Sequence, residues 1–366
     1  MIVGGTPFRH MFWNSPMTLS NTLRIEKKLA RVLSKLSRRD SWRHASRKLM
    51  VAYVAPERPR RFPLKLQIEA SSRCNLCCPS CSHSREQGNG EHLSEDNFCR
   101  ILSRLPWQPA RVVLSGIGEP LTNPQFFSLV DILAERKIRC EFHTNGTLLG
   151  ARMRQAILSR DTIDTVNISC DGAQKKTFES LRRGADFDRW RRYVGEFLAE
   201  ARQRRGKPLT VGVNMVISQA NLDEIGDILR LARALGFDGI HAIHPIPLDD
   251  TAAALCPSPT ASSTVNREYL SKLGRDLGLN VACYFRRNKV PPAALPRCLL
   301  PWEYMFVRAN GDVAPCCALF GSEKGAVVGN ILEQEFGEIW RGPQAREFRR
   351  TSAAGTNALC RICPYY

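Results

Sequence analysis

From residue 64 onward, short runs of aliphatic and β-branched residues alternate with longer stretches in which apolar residues recur at helical spacing. The predicted strands are Leu64–Glu69, Val112–Ser115, Arg139–Thr144, Thr165–Ser169, Thr210–Ile217 and Ile240–Ile243. The predicted helices between them are Glu95–Leu105, Gln125–Arg136, Arg152–Ser159, Phe187–Arg204 and Leu222–Leu235, the last with Asn221 and Gly236 as caps. Such β/α units in series predict an α/β fold with a parallel sheet, whose functional residues lie at the carboxyl ends of the strands.

A change of pattern follows the last β/α unit. Residues 249–263 are rich in Ala, Pro, Ser and Thr, which indicates a loop or lid, and a helix near Asn266–Leu277 and a strand near Asn280–Phe285 come next. Asn310-Gly311 between two β-rich runs, Met305–Arg308 and Asp312–Cys316, predicts a hairpin, and a short helix is expected at Glu335–Arg341. We therefore expect three parts: an extension over 1–62, a main domain over 63–290 and a small α+β domain over 291–366.

The extension is strongly basic. Residues 1–62 hold 14 of the 53 Lys and Arg residues but three of the 35 Asp and Glu residues, within a chain of net charge +18. Apolar residues recur at helical spacing from Leu19 to Leu36, so a basic amphipathic helix capped by Asn21 or Ser20 is predicted. Three roles stay open: an arm packed on the main domain, contact with lipid headgroups, or contact with nucleic acid or an acidic protein. Aromatic residues are not interleaved with the basic ones, so we do not expect nucleic acid as a partner.

Composition and the absence of long apolar runs in the sequence limit the cellular compartments in which the protein is expected. No apolar run approaches the roughly 20 residues that span a bilayer, and the N-terminus has no secretory signal pattern. We therefore expect a cytoplasmic protein, with membrane association through the arm as the alternative. The chain has 14 cysteines, and in a reducing compartment such cysteines bind metal or do chemistry more often than they form disulfides.

The first cysteine group follows the first predicted strand, in CNLCCPSC at residues 74–81. Cys74, Cys78 and Cys81 have the spacing Cys-x3-Cys-x2-Cys, and three thiolates hold three irons of a four-iron cluster while the fourth iron stays open. An open metal position binds and activates a small molecule. Cys77 offers a second Cys-x2-Cys spacing with Cys74, so a zinc knuckle is the alternative.

Further motifs follow the later strands: LSGIGEPL at 114–121, HTNGTLL at 143–149, NISCDG at 167–172, SLRRG at 180–184 and VGVNMVI at 211–217. With the cysteine loop, their order and spacing resemble the radical S-adenosylmethionine (SAM) enzymes. The resemblance implies a partial (β/α)6 TIM-like barrel, the radical SAM core. It also implies cofactor contacts at Gly116, Gly118, Glu119, Thr144, Asn145, Ser169, Arg183 and Asn214.

The same resemblance implies the chemistry. In this family a reduced [4Fe-4S] cluster, held here by Cys74, Cys78 and Cys81, cleaves SAM to a 5′-deoxyadenosyl radical. That radical abstracts hydrogen from an unactivated carbon, while the barrel orients the substrate and excludes water. A reductant such as flavodoxin or ferredoxin is the expected partner.

The second cysteine group lies in the last 69 residues, and it comprises Cys298, Cys316, Cys317, Cys360 and Cys363. Four thiolates complete a ligand shell for a cluster or equally for zinc. The segment is similar to the Twitch/SPASM auxiliary-cluster domains, which implies ligands at Cys298, Cys316, Cys360 and Cys363, with Cys316 preferred to Cys317. Because the sequence ends three residues after Cys363, one auxiliary [4Fe-4S] cluster is expected.

A fully ligated second cluster favours a role in electron transfer, and so an oxidation, with epimerisation by a thiol hydrogen donor as the other outcome. Cys256 and Cys283 are the candidate hydrogen donors, whereas strand alternation should turn Cys170 away from the site. The candidate substrate contacts are His83, His143, His241, His244 and Asp249.

Single-cluster relatives favour a dehydrogenase or epimerase of a sugar, aminocyclitol or other small-molecule or glycan substrate. The basic extension is too short and too helical for a peptide-recognition domain. A peptide-modifying enzyme is the alternative, and a non-catalytic zinc-binding adaptor is a remote one.

Overall fold

The computed structural model describes residues 62–81, 90–204, 206–247, 249–258, 265–285, 298, 300–316 and 327–363. The predicted basic helix, His83 and Cys317 lie outside these residues. Within the described ranges, no helix is both long and apolar enough to cross a membrane.

One sheet of ten strands organises the described chain, in the order β10-β9-β8-β1-β2-β3-β4-β5-β6-β7. The strands are β1 Lys65–Ile68, β2 Arg111–Leu114, β3 Arg139–Thr144, β4 Ile163–Ser169, β5 Thr210–Val216, β6 Gly239–Ile243, β7 Asn280–Tyr284, β8 Tyr304–Val307, β9 Asp312–Ala314 and β10 Gly329–Asn330. Strands β1 to β7 are parallel to their neighbours and follow chain order. This confirms the predicted α/β class and the partial barrel, which is open at β7 in the part of the chain described.

Helices connect the parallel strands. They are α1 Glu95–Ser103, α2 Phe126–Glu135, α3 Ala151–Leu158, α4 Lys175–Leu181, α5 Phe187–Gln203, α6 Ile225–Leu235, α7 Asp250–Ala254, α8 Arg267–Asp276, α9 Leu300–Glu303, α10 Phe336–Arg341, α11 Pro343–Ala354 and α12 Ala358–Arg361. Short 3-10 turns occupy Pro120–Thr122 and Leu222–Glu224. Most predicted boundaries agree within one to three residues, because apolar spacing marks the interior of an element better than its ends.

Each parallel strand separates two environments. In β3, Cys140 and Phe142 are fully buried, whereas Glu141 and His143 alternate with them and are partly exposed. The buried side carries the apolar core and packs on the helices, as Phe126 of α2 does against Phe142. We call the opposite side the inner face; it carries Gln67, Glu141, His143, Asn167, Ser169, Asn214 and His241.

Several local features differ from the expectations. Helices α4, α9, α11 and α12 and strand β10 lie where none was predicted. The predicted loop at 249–263 begins with α7, whose first turn Asp249 caps by accepting from the Ala252 amide at 2.6 Å. Asn221 does not cap a helix; its side chain donates to the Asp171 and Val216 carbonyls instead. Tertiary partners outcompete the local cap because a buried amide must satisfy all its hydrogen bonds.

The C-terminal part continues the same sheet. Strand β8 pairs in parallel with β1, and β9 pairs with β8 in antiparallel fashion through the hairpin predicted at Asn310-Gly311. Strand β10 then pairs with β9, also in antiparallel fashion. Gly311 has φ +90°, the left-handed conformation that such a turn requires. The division into domains at residues 62/63 and 290/291 stays a prediction.

Replacing Phe126 by Ala should cost about 3–5 kcal/mol of unfolding free energy, as expected for a buried Phe that leaves a cavity. The ring is 1% exposed and meets Phe142 edge-on at 5.2 Å between centroids. Denaturant unfolding of the metal-free chain measures the loss. Tyr269→Ala is the control, since that ring is 43% exposed and its removal should change stability by about 0.5 kcal/mol or less. Equal losses in the two variants would contradict the assigned core.

Candidate functional site

The cysteine loop follows β1, and the segment leading into it is held by the segment after β2. The amide of Gly118 donates to the Ser71 carbonyl at 3.2 Å, and the amide of Glu119 donates to the Arg73 carbonyl at 2.8 Å. These two bonds align the GIGEP segment alongside the entry to the loop. The loop therefore has a fixed starting point although it has no regular structure of its own.

The loop itself is held by two further segments. The side chain of Asn75 donates to Thr147 Oγ1 at 2.8 Å and accepts from Asn145 Nδ2 at 2.9 Å, both after β3. The amide of Cys77 donates to the Arg183 carbonyl at 2.9 Å, after α4. Segments that follow β2, β3 and α4 thus converge on the eight residues that carry the three thiols.

Two glycines allow this close approach. A Cβ atom at Gly118 would lie 2.2 Å from the Arg73 carbonyl oxygen, and one at Gly116 would lie 2.3 Å from the Glu69 side chain. A larger residue at Gly118 would have to move the backbone, and one at Gly116 would have to displace the buried Glu69 side chain. The predicted cofactor residues Gly116 and Gly118 therefore have a packing role in the structure, at the wall of the cysteine loop.

Glu119 is buried and joins the ends of β2 and β3. Its Oε1 accepts from Thr144 Oγ1 at 2.7 Å and from the Leu121 amide at 3.2 Å, while its Oε2 accepts from the Asn145 amide at 2.6 Å. Burial raises the pKa of Glu119 to about 7, although the three donors act to lower it. The carboxylate thereby fixes the Thr144-Asn145 turn next to the cysteine loop.

Trp190 of α5 also stabilises the Thr144-Asn145 turn. Its Nε1 donates to the Asn145 carbonyl at 3.1 Å, and the ring is fully buried. Gly146 has φ +79°, and a Cβ there would lie 2.7 Å from Trp190 Nε1. The sequence analysis did not identify Trp190, because its partner lies 45 residues away in the chain.

The arginine that faces the cysteine loop is Arg182. Its NH2 contacts Asp171 Oδ2 at 2.6 Å and its side chain is 12% exposed, whereas Arg183 is exposed and contributes its carbonyl to the loop. Burial acts to lower the pKa of Arg182, but the Asp171 carboxylate raises it. Burial raises the pKa of the Cys78 thiol, and the charge of Arg182 offsets part of that rise. The resemblance implied Arg183; the end of α4 turns that side chain outward and its neighbour inward.

The donor set at this site fits an iron–sulfur cluster and a bound anion. Three thiols lie on one loop, and the buried Nε of Arg182 has no hydrogen-bond partner among the described residues, so it offers a donor to a carboxylate. Within those residues, no three Cys, His, Asp or Glu side chains converge on one metal ion. A [4Fe-4S] cluster bonds each thiolate to a different iron and does not require such convergence.

The remaining predicted cofactor residues lie on the inner face. Ser169 of β4 and Asn214 of β5 are partners in register, and Asn214 is in turn the partner of His241 on β6. Cys170, next to Ser169, is 2% exposed and faces the core, as strand alternation predicted.

A set of hydrogen-bonded polar side chains also lies on the inner face, beside Ser169, Asn214 and His241. Glu141 Oε1 accepts from Asn167 Nδ2 at 3.0 Å and from His143 Nε2 at 3.3 Å, and Arg111 NH1 lies 3.4 Å from Oε2. Burial acts to raise the pKa of Glu141, but the bond from His143 and the charge of Arg111 lower it overall. The His143 side chain remains 32% exposed and directly precedes the Thr144-Asn145 turn.

The other candidates occupy different environments. Cys283 of β7 is 7% exposed and lies in the apolar core, where burial raises its pKa to about 11, so it does not face the inner side. Cys256 lies after α7 with its thiol 3.7 Å from the Pro245 carbonyl. His244 stacks on Phe285, and Asp249 caps α7. The orientation of Cys283 therefore argues against a role as hydrogen donor, and Asp249 is accounted for as a cap.

The C-terminal cysteines lie close to the barrel. Cys316, Cys360 and Cys363 belong to one small cluster with Phe348, and Ile246, which follows β6, packs against it. The Cys363 amide donates to the Cys360 carbonyl at 3.2 Å, which closes the final Cys-x2-Cys turn. Cys298 is half-buried. The choice between Cys316 and Cys317 stays a prediction.

The fold and the cysteine loop define an iron–sulfur enzyme on an open parallel barrel, and comparison with known proteins identifies the family. A model of the radical SAM superfamily matches residues 68–243, and a model of an iron–sulfur cluster-binding domain, SPASM, matches residues 298–364. The chain belongs to the radical SAM superfamily and carries a C-terminal SPASM-type cluster domain. The cofactors are therefore SAM, a [4Fe-4S] cluster and auxiliary iron–sulfur clusters. The resemblance implied the same classes of cofactor.

Curated relatives match most of the chain. A cofactor-modifying protein for tungsten-containing aldehyde ferredoxin oxidoreductase from Pyrococcus furiosus is 25% identical over 314 residues, 78% of this chain and 82% of that protein. Mycofactocin maturase from Mycolicibacterium smegmatis is 28% identical over 310 residues, covering 83% and 77%. PqqA peptide cyclase from Streptomyces rochei is 28% identical over 318 residues, covering 82% of each.

A solved structure shares the fold. Streptococcus suis SuiB, crystallised with its precursor peptide SuiA, aligns with a TM-score of 0.64 at 20% identity, over 94% of this chain and 84% of that one. At that identity the likeness shows a common architecture.

These findings correct the expected substrate. The prediction of a sugar, aminocyclitol or glycan oxidoreductase or epimerase is wrong, because the relatives include maturases and a peptide cyclase. The zinc alternatives also fail, because the radical SAM model matches the segment with the first cysteine group and an iron–sulfur cluster-binding model matches the segment with the second.

Glu119 should make the stability of the metal-free chain depend on pH. Because burial raises its pKa from 4.5 to about 7, the folded chain holds this proton to a higher pH than the unfolded chain. The raised pKa therefore adds roughly 3 kcal/mol to the unfolding free energy. This contribution is fully present below pH 4.5 and is lost as the pH rises through about 7. Denaturant unfolding at a series of pH values measures the slope.

Glu119→Gln should flatten that slope, since the amide does not titrate. Glu333→Gln provides the control, because Glu333 is exposed and its replacement should leave the curve unchanged. If the unfolding free energy depends on pH equally in Glu119→Gln and in the unaltered chain, that dependence comes from another group.

Proposed function

We propose that this protein is a radical SAM enzyme that modifies a peptide. The observation that carries the proposal is the match to PqqA peptide cyclase, which covers 82% of each chain. Mycofactocin maturase, which matches over 83% of this chain, supports the same class.

The residues proposed to hold the cofactors follow from the geometry. Cys74, Cys78 and Cys81 ligate the [4Fe-4S] cluster, and Arg182 replaces Arg183 as the arginine that meets SAM, with its unpartnered Nε as the donor. The other proposed SAM contacts are Gly116, Gly118, Glu119, Thr144, Asn145, Ser169 and Asn214. When bound, cluster and SAM together supply a deoxyadenosyl radical that takes a hydrogen atom from the substrate.

The inner face is proposed to meet the peptide. His143 lies beside the turn that adjoins the cysteine loop and keeps a third of its side chain exposed. The hydrogen bond from His143 and the charge of Arg111 lower the pKa of Glu141 against the effect of burial. Glu141 orients the imidazole through Nε2, which leaves Nδ1 as the acceptor for a hydroxyl or amide N–H of the peptide. This assigns to Glu141 a positioning role and to His143 a binding role.

The C-terminal cysteines Cys298, Cys316, Cys360 and Cys363 are proposed to hold one auxiliary cluster. Ile246 links their surroundings to the end of β6, so that cluster lies next to the segment that borders the inner face. Electron exchange with the substrate site is the role that this position favours. A flavodoxin- or ferredoxin-type reductant is the expected electron source.

Isotope transfer tests the substrate class before the substrate itself is identified. Reconstituted enzyme, SAM and a reductant are mixed with deuterated extract of the source organism, separated into peptide, oligosaccharide and small-molecule fractions. Deoxyadenosine should gain deuterium from the peptide fraction, and protease treatment of that fraction should abolish the gain. Deuterium from the oligosaccharide or small-molecule fraction alone would overturn the proposal.

Cys78→Ala should remove the barrel cluster and with it reductive SAM cleavage, because two thiolates do not retain a site that needs three. Iron and sulfide content and deoxyadenosine formation in the absence of substrate are the measurements. Cys77→Ala is the matched control from the same loop: this thiol is exposed, and its loss should preserve both. Loss of iron in Cys77→Ala with retention in Cys78→Ala would reverse the assignment.

His143→Ala should separate binding from radical formation. Deoxyadenosine formation without substrate should stay within about twofold of the unaltered enzyme, while peptide-stimulated turnover should fall roughly 10- to 100-fold, the scale of one lost hydrogen bond to a positioned group. Glu141→Gln should give a smaller loss in the same direction, since the amide still contacts His143. Unchanged peptide-stimulated turnover in His143→Ala would place the peptide elsewhere.

A further inference from the structure

Glu69 is a buried carboxylate at the junction of the barrel and the C-terminal segment. It directly follows β1, is 1% exposed, and its amide donates to the Val307 carbonyl at the end of β8 at 2.8 Å. Strands β1 and β8 are neighbours in the sheet, so Glu69 leaves the sheet where both parts of the chain meet.

The two oxygens of Glu69 bind different parts of the molecule. Oε1 accepts from the Ile117 amide at 2.8 Å, within the GIGEP segment, and Oε2 accepts from the Ala309 amide at 3.2 Å, in the turn after β8. Arg308 Nε lies 3.9 Å from Oε2. The Glu69 carboxylate therefore connects the C-terminal turn to the GIGEP segment beside the cysteine loop.

That segment touches the cluster loop directly. The Ile117 carbonyl lies 3.9 Å from Cys81 Sγ, and the next two amides hold the entry to the loop. The packing around Glu69 leaves little room for adjustment, since a Cβ at Gly116 would lie 2.3 Å from its side chain. In a close-packed interior, a displacement of the turn at 308–309 is transmitted through such a contact.

A buried carboxylate of this kind is sensitive to its partners. Replacing one carboxylate oxygen by an amide NH2 leaves a buried backbone amide without an acceptor, and this costs more than the loss of an exposed bond because water does not replace the acceptor. Both amides, Ile117 and Ala309, depend on the same side chain. Their positions are thus coupled through Glu69.

We propose that Glu69 is a positioning residue that couples the C-terminal turn at Arg308-Ala309 to the SAM-binding segment at 115–119. A displacement of that turn then moves the SAM-binding segment, so the conformation of the auxiliary domain sets the affinity for SAM. The coupling goes beyond the proposed function, because it holds for any substrate that the enzyme takes.

A double-mutant cycle tests the coupling in anaerobically reconstituted holoenzyme. Equilibrium dialysis with labelled SAM measures affinity, and the SAM-induced change in the electron paramagnetic resonance spectrum of the reduced cluster measures its approach to iron. Glu69→Gln should weaken SAM binding about tenfold, the scale of one lost charge-assisted hydrogen bond. Arg308→Gln should weaken it about threefold, and should add nothing in the Glu69→Gln background, because both act through one contact.

Other contacts between barrel and C-terminal segment provide the control. Arg100 NH2 donates to the Leu332 carbonyl at 3.1 Å and Arg104 NH1 to the Gln334 carbonyl at 2.9 Å, both from α1 and neither within the SAM-binding segment. The double variant Arg100→Gln/Arg104→Gln loosens the same junction without touching Glu69. Its SAM affinity should stay within about twofold of the unaltered enzyme, because no bond to the SAM-binding segment is lost.

Hydrogen exchange of the cluster-free chain gives a readout that does not need the cofactor. Glu69→Gln should accelerate exchange at the Ile117 and Ala309 amides together, by about tenfold, while leaving the amides of α5 unchanged. Where Glu69→Gln fails to fold, Arg308→Gln in the otherwise intact chain decides the question through its SAM affinity.

Three outcomes would overturn the coupling: unchanged SAM affinity in folded Glu69→Gln, additive effects of the Glu69 and Arg308 variants, or an equal loss in the Arg100/Arg104 control. These outcomes are distinguishable from failure of the proposed function. The deuterium experiment tests the substrate class in the unaltered enzyme, whereas the SAM measurements need no substrate.

Discussion

An eight-residue loop without regular structure has to hold three thiols in fixed positions, and hydrogen bonds from its neighbours provide the means. Buried polar groups need partners, and three neighbouring segments supply them. The segment after β2 donates to two carbonyls at the loop entry, the segment after β3 bonds the Asn75 side chain, and the segment after α4 accepts from the Cys77 amide. The glycines at 116 and 118, the Glu119 carboxylate and the Trp190 indole all serve this one arrangement. Each element that crowds the loop is needed because the loop has no helix or strand to stabilise it.

Buried carboxylates hold most of this arrangement together, each with different partners. Glu119 joins two strand ends through neutral donors, which leaves its pKa raised by burial. Asp171 is paired with Arg182, whose charge lies toward Cys78. Glu69 joins the same wall to the C-terminal turn. Because β8 extends the barrel sheet, the cluster domain is attached through backbone pairing as well as through this side chain.

The expected substrate was wrong for a physical reason. It rested on the number of auxiliary cysteines and on the length of the basic extension, and neither number describes the side chains that recognise a substrate. The inner face, which we propose meets the peptide, is formed in part by Glu141, His143 and Asn167 from two neighbouring strands. Motif spacing describes the cofactor loops, which many enzymes share, whereas substrate choice depends on side chains that alternate with core residues along the strands.

The sequence by itself determined strands β1 to β9, most of the helices, the hairpin at Asn310-Gly311 and the cysteine loop, because apolar periodicity and turn residues are local signals. Tertiary structure alone decided that Arg182 rather than Arg183 faces the loop, that Cys283 lies in the core, and that β8 joins β1. Adjacent residues at a helix end point in different directions, and a strand's partner lies far along the chain. No local pattern contains either fact, so Glu69 and Trp190, whose partners lie 48 and 45 residues away, became visible only in the fold.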